Sequence, residues 1–278
     1  MPQIKNFRRP LLKFFLLTYL IFLVLLLITG IAIMMKAPEL VKYILPIVCS
    51  WSPTFAFLIL FKRLYPGLNL KEFLKQRFYS AIKIKVIVTI ITINILILIL
   101  TMVSYSIKNN TPITAILVTS SNIIVLGFFT NLIRGPLGEE LGWRGYALNV
   151  LQQRFSPLIS AIIIGVIWGF WHTPLWFLTS GYSGVDLIKY IMLFMICIIS
   201  VSIYITTFYN LNKNLVIPIL IHQLYNYSLS VINLNALQAL SYIAPLYLIL
   251  AIILVSTNKE TVLYKAHNII EVAENNNL

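Results

Sequence analysis

The sequence predicts an all-α fold, a polytopic bundle of about eight transmembrane helices. Of the 278 residues, 59% are hydrophobic and 10% are charged, whereas soluble domains contain roughly 45–50% apolar and 25% charged residues. Mean hydropathy is +0.90, and only eight residues are Asp or Glu. These values leave no room for a soluble domain of useful size and predict a multi-pass membrane protein.

Eight apolar segments approach or exceed the roughly 20 residues that a helix needs to cross the hydrocarbon core. The 113–154 segment is too long for one straight helix, and Gly135-Pro136 predicts a kink or break within it. Seven to nine spans are therefore compatible with the sequence. The first segment has no small-residue cleavage site and is expected to remain as a span. The eight segments are 12–34, 44–61, 84–106, 113–154, 157–179, 187–208, 214–232 and 237–256.

The net charge of +13 is distributed in a way that predicts membrane orientation rather than nucleic-acid binding. In the eight-span arrangement, 17 of the 21 Lys and Arg residues, Arg134 and Arg144 among them, fall on one side of the membrane. Lys and Arg are enriched in cytoplasmic loops, so both termini are expected in the cytoplasm, in the cell membrane of a bacterium. The basic surface is expected to meet anionic lipid. The other side carries Lys36, Lys42, Lys108 and Lys189.

The longest polar stretch, 62–85, contains seven basic residues. It predicts a cytoplasmic loop with a short amphipathic helix at Leu70–Phe78, lying at the membrane interface. The polar tail 257–278 is predicted to fray.

Two adjacent acids, Glu139 and Glu140, follow a long apolar stretch. Ionisable groups at membrane depth are costly and tend to be functional. On a helix, Arg144 lies four residues beyond Glu140, so the two can pair on one face. This pairing is expected to hold Glu140 and to leave Glu139 facing elsewhere. A buried Glu–Arg clamp beside one incidental acid is the alternative interpretation.

Two further patterns place polar side chains in apolar segments. Trp168 and His172 are four residues apart, as are His222 and Asn226, so each pair shares a helix face. An imidazole and a carboxamide can both donate hydrogen bonds to one ligand atom. Taken singly, each pattern is equally compatible with polar contacts between packed helices. Taken together with the acids, they favour one shared site.

A predicted hairpin supports a shared depth for the first two patterns. The only clear break between Glu139 and His172 is 154–157, at their midpoint. Each side chain would then lie about 25 Å along its helix from the turn, at 1.5 Å per residue. His222 lies only about 14 Å beyond Lys213, so helix tilt or a deeper helix start must bring it level.

The order Glu-Glu-x-x-x-Arg, aromatic-x-x-x-His and His-x-x-x-Asn resembles the CPBP family of CAAX proteases and bacteriocin-processing enzymes, also called the Abi family. The segment Gly-Glu-Glu-Leu-Gly-Trp-Arg-Gly-Tyr-Ala-Leu at 138–148 is especially similar. Trp168 stands where the family often has Phe. The resemblance divides the chain into N-terminal helices with the basic loop (1–112), a CPBP-like catalytic core (113–231), and a last helix with a cytoplasmic tail (232–278). Residues 1–112 contribute only hydropathy.

The resemblance implies an intramembrane endopeptidase of the glutamate type that cleaves membrane-associated peptides or proteins. It implies that Glu139 is the general base that activates water, with His172 assisting. His222 and Asn226 would stabilise the oxyanion. Glu140, counted with these residues in the catalytic set, would support the site together with Arg144 and Trp168.

A zinc-dependent version of the same protease is the first alternative, with Glu139, His172 and His222 as ligands. The His-Glu-x-x-His signature is absent, and no carboxylate lies near either histidine in the sequence to orient it as a zinc ligand. The metal-free mechanism, without a cofactor, is therefore favoured.

Two non-proteolytic functions remain open at this stage. A bacteriocin-immunity or scaffold protein could use the same fold, although a binding protein need not keep all five polar groups. A proton-coupled transporter could use buried Glu and His, but the internal repeat found in many transporters is absent. The expected partners are a peptide or protein substrate in or at the membrane and the lipid bilayer, with no nucleic acid.

Overall fold

The computed structural model describes residues 8–258 and 263–264. Within these residues every regular element is a helix, and the only strand-like pairing is an isolated bridge between Leu117 and Ile232. The predicted all-α membrane bundle is confirmed. The helices are α1 (Arg8–Met34), α2 (Glu39–Ser50), α3 (Ser52–Leu64), α4 (Leu70–Phe78), α5 (Ile84–Asn109), α6 (Ile113–Ile116), α7 (Ser121–Arg134), α8 (Pro136–Glu140), a π-helix (Leu141–Leu148), α9 (Asn149–Leu151), α10 (Pro157–Trp171), α11 (Thr173–Leu178), α12 (Gly184–Asn212), α13 (Val216–Ser230) and α14 (Ala236–Thr257).

Fewer helices than expected are long enough to span a bilayer by themselves. Five spans of the described chain meet the criteria of length and hydropathy (α1, α5, α10 with α11, α12 and α14), and α2 with α3, bent by 54°, makes a sixth. Two of the eight predicted spans fall short. Helix α13 has only 15 residues, and the 113–154 segment is divided into short helices. The predicted break at Gly135-Pro136 is confirmed, because α7 ends at Arg134 and α8 begins at Pro136.

Loop contacts define two ends of the bundle. At the first, the Leu215 N–H donates to the Arg77 carbonyl, and the Lys83 N–H donates to Asn212 Oδ1. At the second, the Leu117–Ile232 bridge joins the chain after α6 to the chain after α13. Along the described chain, successive passages run between these two ends. We call them the basic end, with loops 65–69, 79–83, 152–156 and 213–215, and the far end, with loops 35–38, 110–120, 179–183 and 231–235.

Local signals in the sequence account for the elements at the basic end. Helix α4 occupies Leu70–Phe78, as predicted, because the Asn69 side chain accepts a hydrogen bond from the Lys71 N–H at its first turn. The predicted hairpin at 154–157 is also confirmed. Ser156 caps α10 by accepting from the Ile159 N–H, and Pro157 occupies the first position of that helix, where its missing N–H has no consequence.

An aromatic cluster fills the bundle between the basic end and its middle. We call it the aromatic plug, and its members are all fully buried. Phe14 packs edge-on against Trp143 and Tyr146, at centroid distances of 5.8 and 5.0 Å. Tyr146 in turn contacts Phe57, which packs on Phe73 of α4. The plug joins α1, α3, α4 and the π-helix into one core. Its members are Phe14, Phe57, Phe73, Trp143 and Tyr146.

Candidate active site

The two adjacent acids lie where α8 passes into the π-helix. Glu139 and Glu140 are the last residues of α8, and Leu141 begins the π-helix. Such wider turns are rare and frequently occur at functional sites. Gly142 lets the π-helix pack directly on α3, since a Cβ there would lie 2.6 Å from the Pro53 carbonyl oxygen. Both carboxylates are consequently buried, with 4% and 0% of the residue exposed.

Glu140 forms a buried cluster with two partners. Arg144 Nη1 donates to Glu140 Oε1 at 3.0 Å, which confirms the predicted pairing at i, i+4. His222 Nδ1 lies 2.8 Å from the same oxygen. No carboxylate lies near His222 in the sequence, but the fold supplies Glu140, 82 residues away, because α13 packs on α8. We call Glu140, Arg144 and His222 the ion cluster.

Glu139 points away from the ion cluster into a cavity. Its Oε2 accepts a hydrogen bond of 2.6 Å from the Trp168 indole N–H. Trp168 also stacks against the Arg144 guanidinium, 4.4 Å from its ring centroid. Trp168 therefore orients the acid, consistent with its predicted supporting position. Glu139 Oε1 makes no hydrogen bond within the described residues, so this oxygen is available to a water molecule in the cavity.

The backbone fixes the tautomer of His172. Its Nδ1 lies 2.8 Å from the Trp168 carbonyl oxygen, and a carbonyl oxygen can only accept. In the neutral ring, Nδ1 therefore carries the proton, and Nε2 is an acceptor. The ring packs edge-on between Trp171 and Phe194, with centroids at 4.7 and 5.1 Å, and His172 lines the same cavity as Glu139. The predicted shared site for these two residues is thus present.

His222 and Asn226 converge on the backbone at Gly135. A Cβ on Gly135 would lie 2.6 Å from Asn226 Nδ2 and 3.4 Å from His222 Nε2. Glycine is thus required for the close approach of the α7–α8 break to α13. Because Nδ1 of His222 faces Glu140, its Nε2 faces the cavity beside the Asn226 amide. His222 lies level with the acids, as the shared site requires, since it directly contacts Glu140.

These groups line one cavity of about 560 Å³ inside the bundle. Helices α1 and α2, which lie outside the segment of the resemblance, form one wall of the cavity, with Phe22, Thr29 and Cys49. Nothing in the sequence around these residues distinguishes a side chain that faces the cavity from one that faces lipid, so they could not be predicted. Among the described residues, Arg134 is the only Lys or Arg that lines this cavity. Its position beside the predicted break was the available signal.

The described part of the chain contains no group of three or more His, Cys, Asp or Glu side chains arranged to hold a metal ion. Glu139, His172 and His222 nevertheless share the cavity, with one oxygen of Glu139 bonded to Trp168 and His222 Nδ1 beside Glu140. Both the metal-free and the zinc-dependent mechanism therefore stay predictions.

Comparison with known proteins shows a similarity to CAAX prenyl proteases. Residues 120–228 match the family model described as type II CAAX prenyl endopeptidase Rce1-like. The chain is also 32% identical over 125 residues to a protein of Methanococcus maripaludis named CAAX prenyl protease 2. That alignment covers 44% of this chain and 46% of the relative, so the chain spans about half the length of the protein it matches. The resemblance predicted from the three motifs is confirmed over this segment.

The ion cluster predicts the effect of Glu140→Gln. The substitution removes the counter-charge of a fully buried Arg144, and breaking a buried pair is costly. We expect a loss on the order of 3 kcal/mol in the free energy of unfolding, seen as a lower Tm for the purified protein in detergent. Glu72→Gln, on the exposed surface of α4, is the matched control and should leave Tm unchanged. An equal Tm for Glu140→Gln and wild type would show that the cluster does not stabilise the fold.

Proposed function

We propose that the protein is an intramembrane endopeptidase in which Glu139 activates the attacking water. The observation that carries this proposal is the convergence of Glu139, His172, His222 and Asn226 on one cavity within the bundle. The matching family model and the relative named as a protease support the same class of reaction.

The chemistry begins with water beside the free oxygen of Glu139. The carboxylate takes one water proton while the water oxygen attacks the carbonyl carbon of the scissile peptide bond. His172 Nε2, an acceptor in the neutral tautomer, holds the second water proton in a hydrogen bond and orients the nucleophile. The peptide C–N bond then breaks, and Glu139 returns its proton to the departing amine. A carboxylic acid and an amine are the products, and the enzyme is regenerated.

The negative charge on the carbonyl oxygen is stabilised by two donors. Asn226 Nδ2 and His222 Nε2 lie around the same point at Gly135, and fixed donors aimed at an oxyanion are usually a large catalytic term. In this role His222 Nε2 is a donor, while Nδ1 lies 2.8 Å from Glu140 Oε1. Glu140 holds the imidazole ring in this orientation. Its role is therefore to position His222, and it does not contact the substrate.

The cavity favours an apolar, membrane-associated peptide or protein as substrate. Around the polar groups its lining is mostly apolar, with Leu26, Ile33 and Leu175 among the residues. For a bacterial enzyme in the cell membrane, we propose bacteriocin leaders, peptide pheromones or segments of membrane proteins. Twelve described Lys and Arg residues lie at the basic end and four at the far end, which favours a cytoplasmic basic end and, with it, cytoplasmic termini.

Glu139→Gln tests the proposed base. Gln keeps the volume and the acceptor for Trp168 but cannot take a proton, so peptide cleavage should be abolished while Tm is retained. The measurement compares new peptide termini, in membrane and secreted fractions, between cells that carry wild type and cells that carry the variant. Asn226→Ala should slow formation of the same termini by about 10²–10³. Glu72→Gln is the matched control and should give the wild-type pattern. Persistence of every wild-type terminus in Glu139→Gln would exclude this residue as the base.

The metal-free mechanism predicts that activity survives chelation. The substrate is one identified by comparing peptide termini between wild-type and Glu139→Gln cells. Purified enzyme treated with 1,10-phenanthroline should cleave this substrate at the same rate as untreated enzyme. A loss of activity that added zinc restores would instead assign Glu139, His172 and His222 to metal coordination. EDTA-treated enzyme assayed in parallel separates zinc removal from direct inhibition by phenanthroline.

A further inference from the structure

We infer that Trp51, at the corner between α2 and α3, is a positioning residue that holds the break at Gly135 and the acid Glu139 in place. The inference rests on the proposed function in its reference to catalysis. The contacts themselves depend only on the fold, and Trp51 lies outside the segment 120–228 that the family model matches.

The chain turns sharply at Trp51. Helix α2 ends at Ser50 and α3 begins at Ser52, and the two helices are bent by 54° at this point. The described residues that line the cavity include the neighbours of Trp51, Cys49 and Ser50, but not Trp51 itself. Its partly buried side chain therefore acts on the cavity through the residues that it contacts.

The indole of Trp51 satisfies a backbone group at the end of α7. The last four carbonyl groups of a helix have no partner within that helix, and Ile133 is the next-to-last residue of α7. Its carbonyl oxygen accepts a hydrogen bond of 2.9 Å from Trp51 Nε1. An unsatisfied backbone group is costly in a membrane protein, so this bond fixes the last turn of α7 just before Gly135.

The ring of Trp51 packs on the backbone of α8. A Cβ on Gly138 would lie 2.6 Å from Trp51 Cδ1 and 2.9 Å from its Cγ, and Gly138 directly precedes Glu139. One side chain thus contacts the chain on both sides of Gly135, through a hydrogen bond to the end of α7 and through close packing on α8.

The same corner contacts the chain beyond the two acids. A Cβ on Gly142 would lie 2.6 Å from the Pro53 carbonyl oxygen. Gly138 and Gly142 flank the two acids in the sequence, so the corner holds the segment that carries them at both ends. Trp51 is the member of this corner that also holds α7.

The position of the break matters because the proposed oxyanion donors converge on it. A Cβ on Gly135 would lie 2.6 Å from Asn226 Nδ2 and 3.4 Å from His222 Nε2. A shift of the break would therefore change the distance between Glu139 and these donors, and a displacement of about 1 Å can lower a rate by about 100-fold. Because Trp51 does not line the cavity, its loss should lower kcat and leave KM nearly unchanged.

Removing the indole N–H alone tests the inference. Trp51→Phe keeps an aromatic ring, and replacement of Trp51 by benzothienylalanine keeps the shape of the indole with sulfur in place of the N–H. Amide hydrogen–deuterium exchange of the purified protein in detergent should become about threefold to tenfold faster at 135–139, as expected for the loss of one hydrogen bond, and should stay unchanged in α12.

Kinetics give the second measurement. The substrate is one identified from the peptide termini that are lost in Glu139→Gln cells. For both Trp51 replacements kcat should fall about 10- to 100-fold, with KM nearly unchanged. Should Trp51→Phe fail to fold, the isosteric replacement decides the result.

Tyr43→Phe is the matched control. It removes another hydrogen bond between α2 and α7, from Tyr43 to Thr130 Oγ1, which lies more than one helical turn before the break. Exchange at 135–139 and kcat should both stay at their wild-type values in this variant.

Four results would overturn the inference. Unchanged exchange at 135–139 would show that the hydrogen bond does not hold the break, and faster exchange throughout the protein would assign Trp51 to general stability. Locally faster exchange with unchanged kcat would show that the site does not depend on it, and an equal effect of Tyr43→Phe would remove its specificity. Failure of the proposed function has a different signature, since Glu139→Gln would then leave the peptide termini unchanged while the local exchange effect of Trp51→Phe persists.

Discussion

The geometry of the site depends on one buried carboxylate, Glu140. It is fully buried and contacts Arg144 on the π-helix and His222 on α13 through a single oxygen. A buried charge is tolerated only when it is paired and hydrogen-bonded, so the packing of α13 against α8 is set by this requirement. The cluster has a direct consequence for chemistry. It fixes which nitrogen of His222 faces the cavity, and it leaves the neighbouring acid, Glu139, as the carboxylate that lines the cavity.

Breaks in helical geometry separate the two adjacent acids. In a continuous α-helix through 121–151, the two adjacent acids would point only about 100° apart. Instead α7 ends at Arg134, α8 begins at Pro136, and the wider π-helix begins at Leu141. The break at Gly135 separates the acids further and brings α13 close to the backbone. Gly135 then accepts the close approach of Asn226 and His222. Trp168 lies between the two acids' partners. Its indole N–H donates a hydrogen bond to Glu139, and its ring stacks against the Arg144 guanidinium. One short segment thus supplies the proposed base and the contact surface for the proposed oxyanion donors, and Trp168 of α10 orients the base.

Much of this arrangement could be predicted from local signals. Composition predicts the membrane bundle, Gly135-Pro136 the break, Ser156-Pro157 the hairpin, and the i, i+4 spacing the Glu140–Arg144 pair. The contact between His222 and Glu140 could not be predicted, because it joins residues 82 positions apart and depends on the packing of two helices. The cavity wall formed by α1 and α2 was missed for a different reason: apolar residues that face lipid and apolar residues that face a cavity look the same in a sequence. Hydropathy also does not show that α13 is only 15 residues long, so the five or six described spans that meet the length criterion could not be predicted.

The claim that Glu140 positions His222 through a direct buried interaction is tested most directly by a double-mutant cycle. The free energies of unfolding of wild type, Glu140→Gln, His222→Gln and the double variant are measured under identical detergent conditions. Residues in contact within one charged network show coupling of about 0.5–3 kcal/mol, and the account predicts coupling in the upper half of that range because both side chains are buried. Additive effects, with the double variant within about 0.5 kcal/mol of the sum of the two single ones, would contradict it.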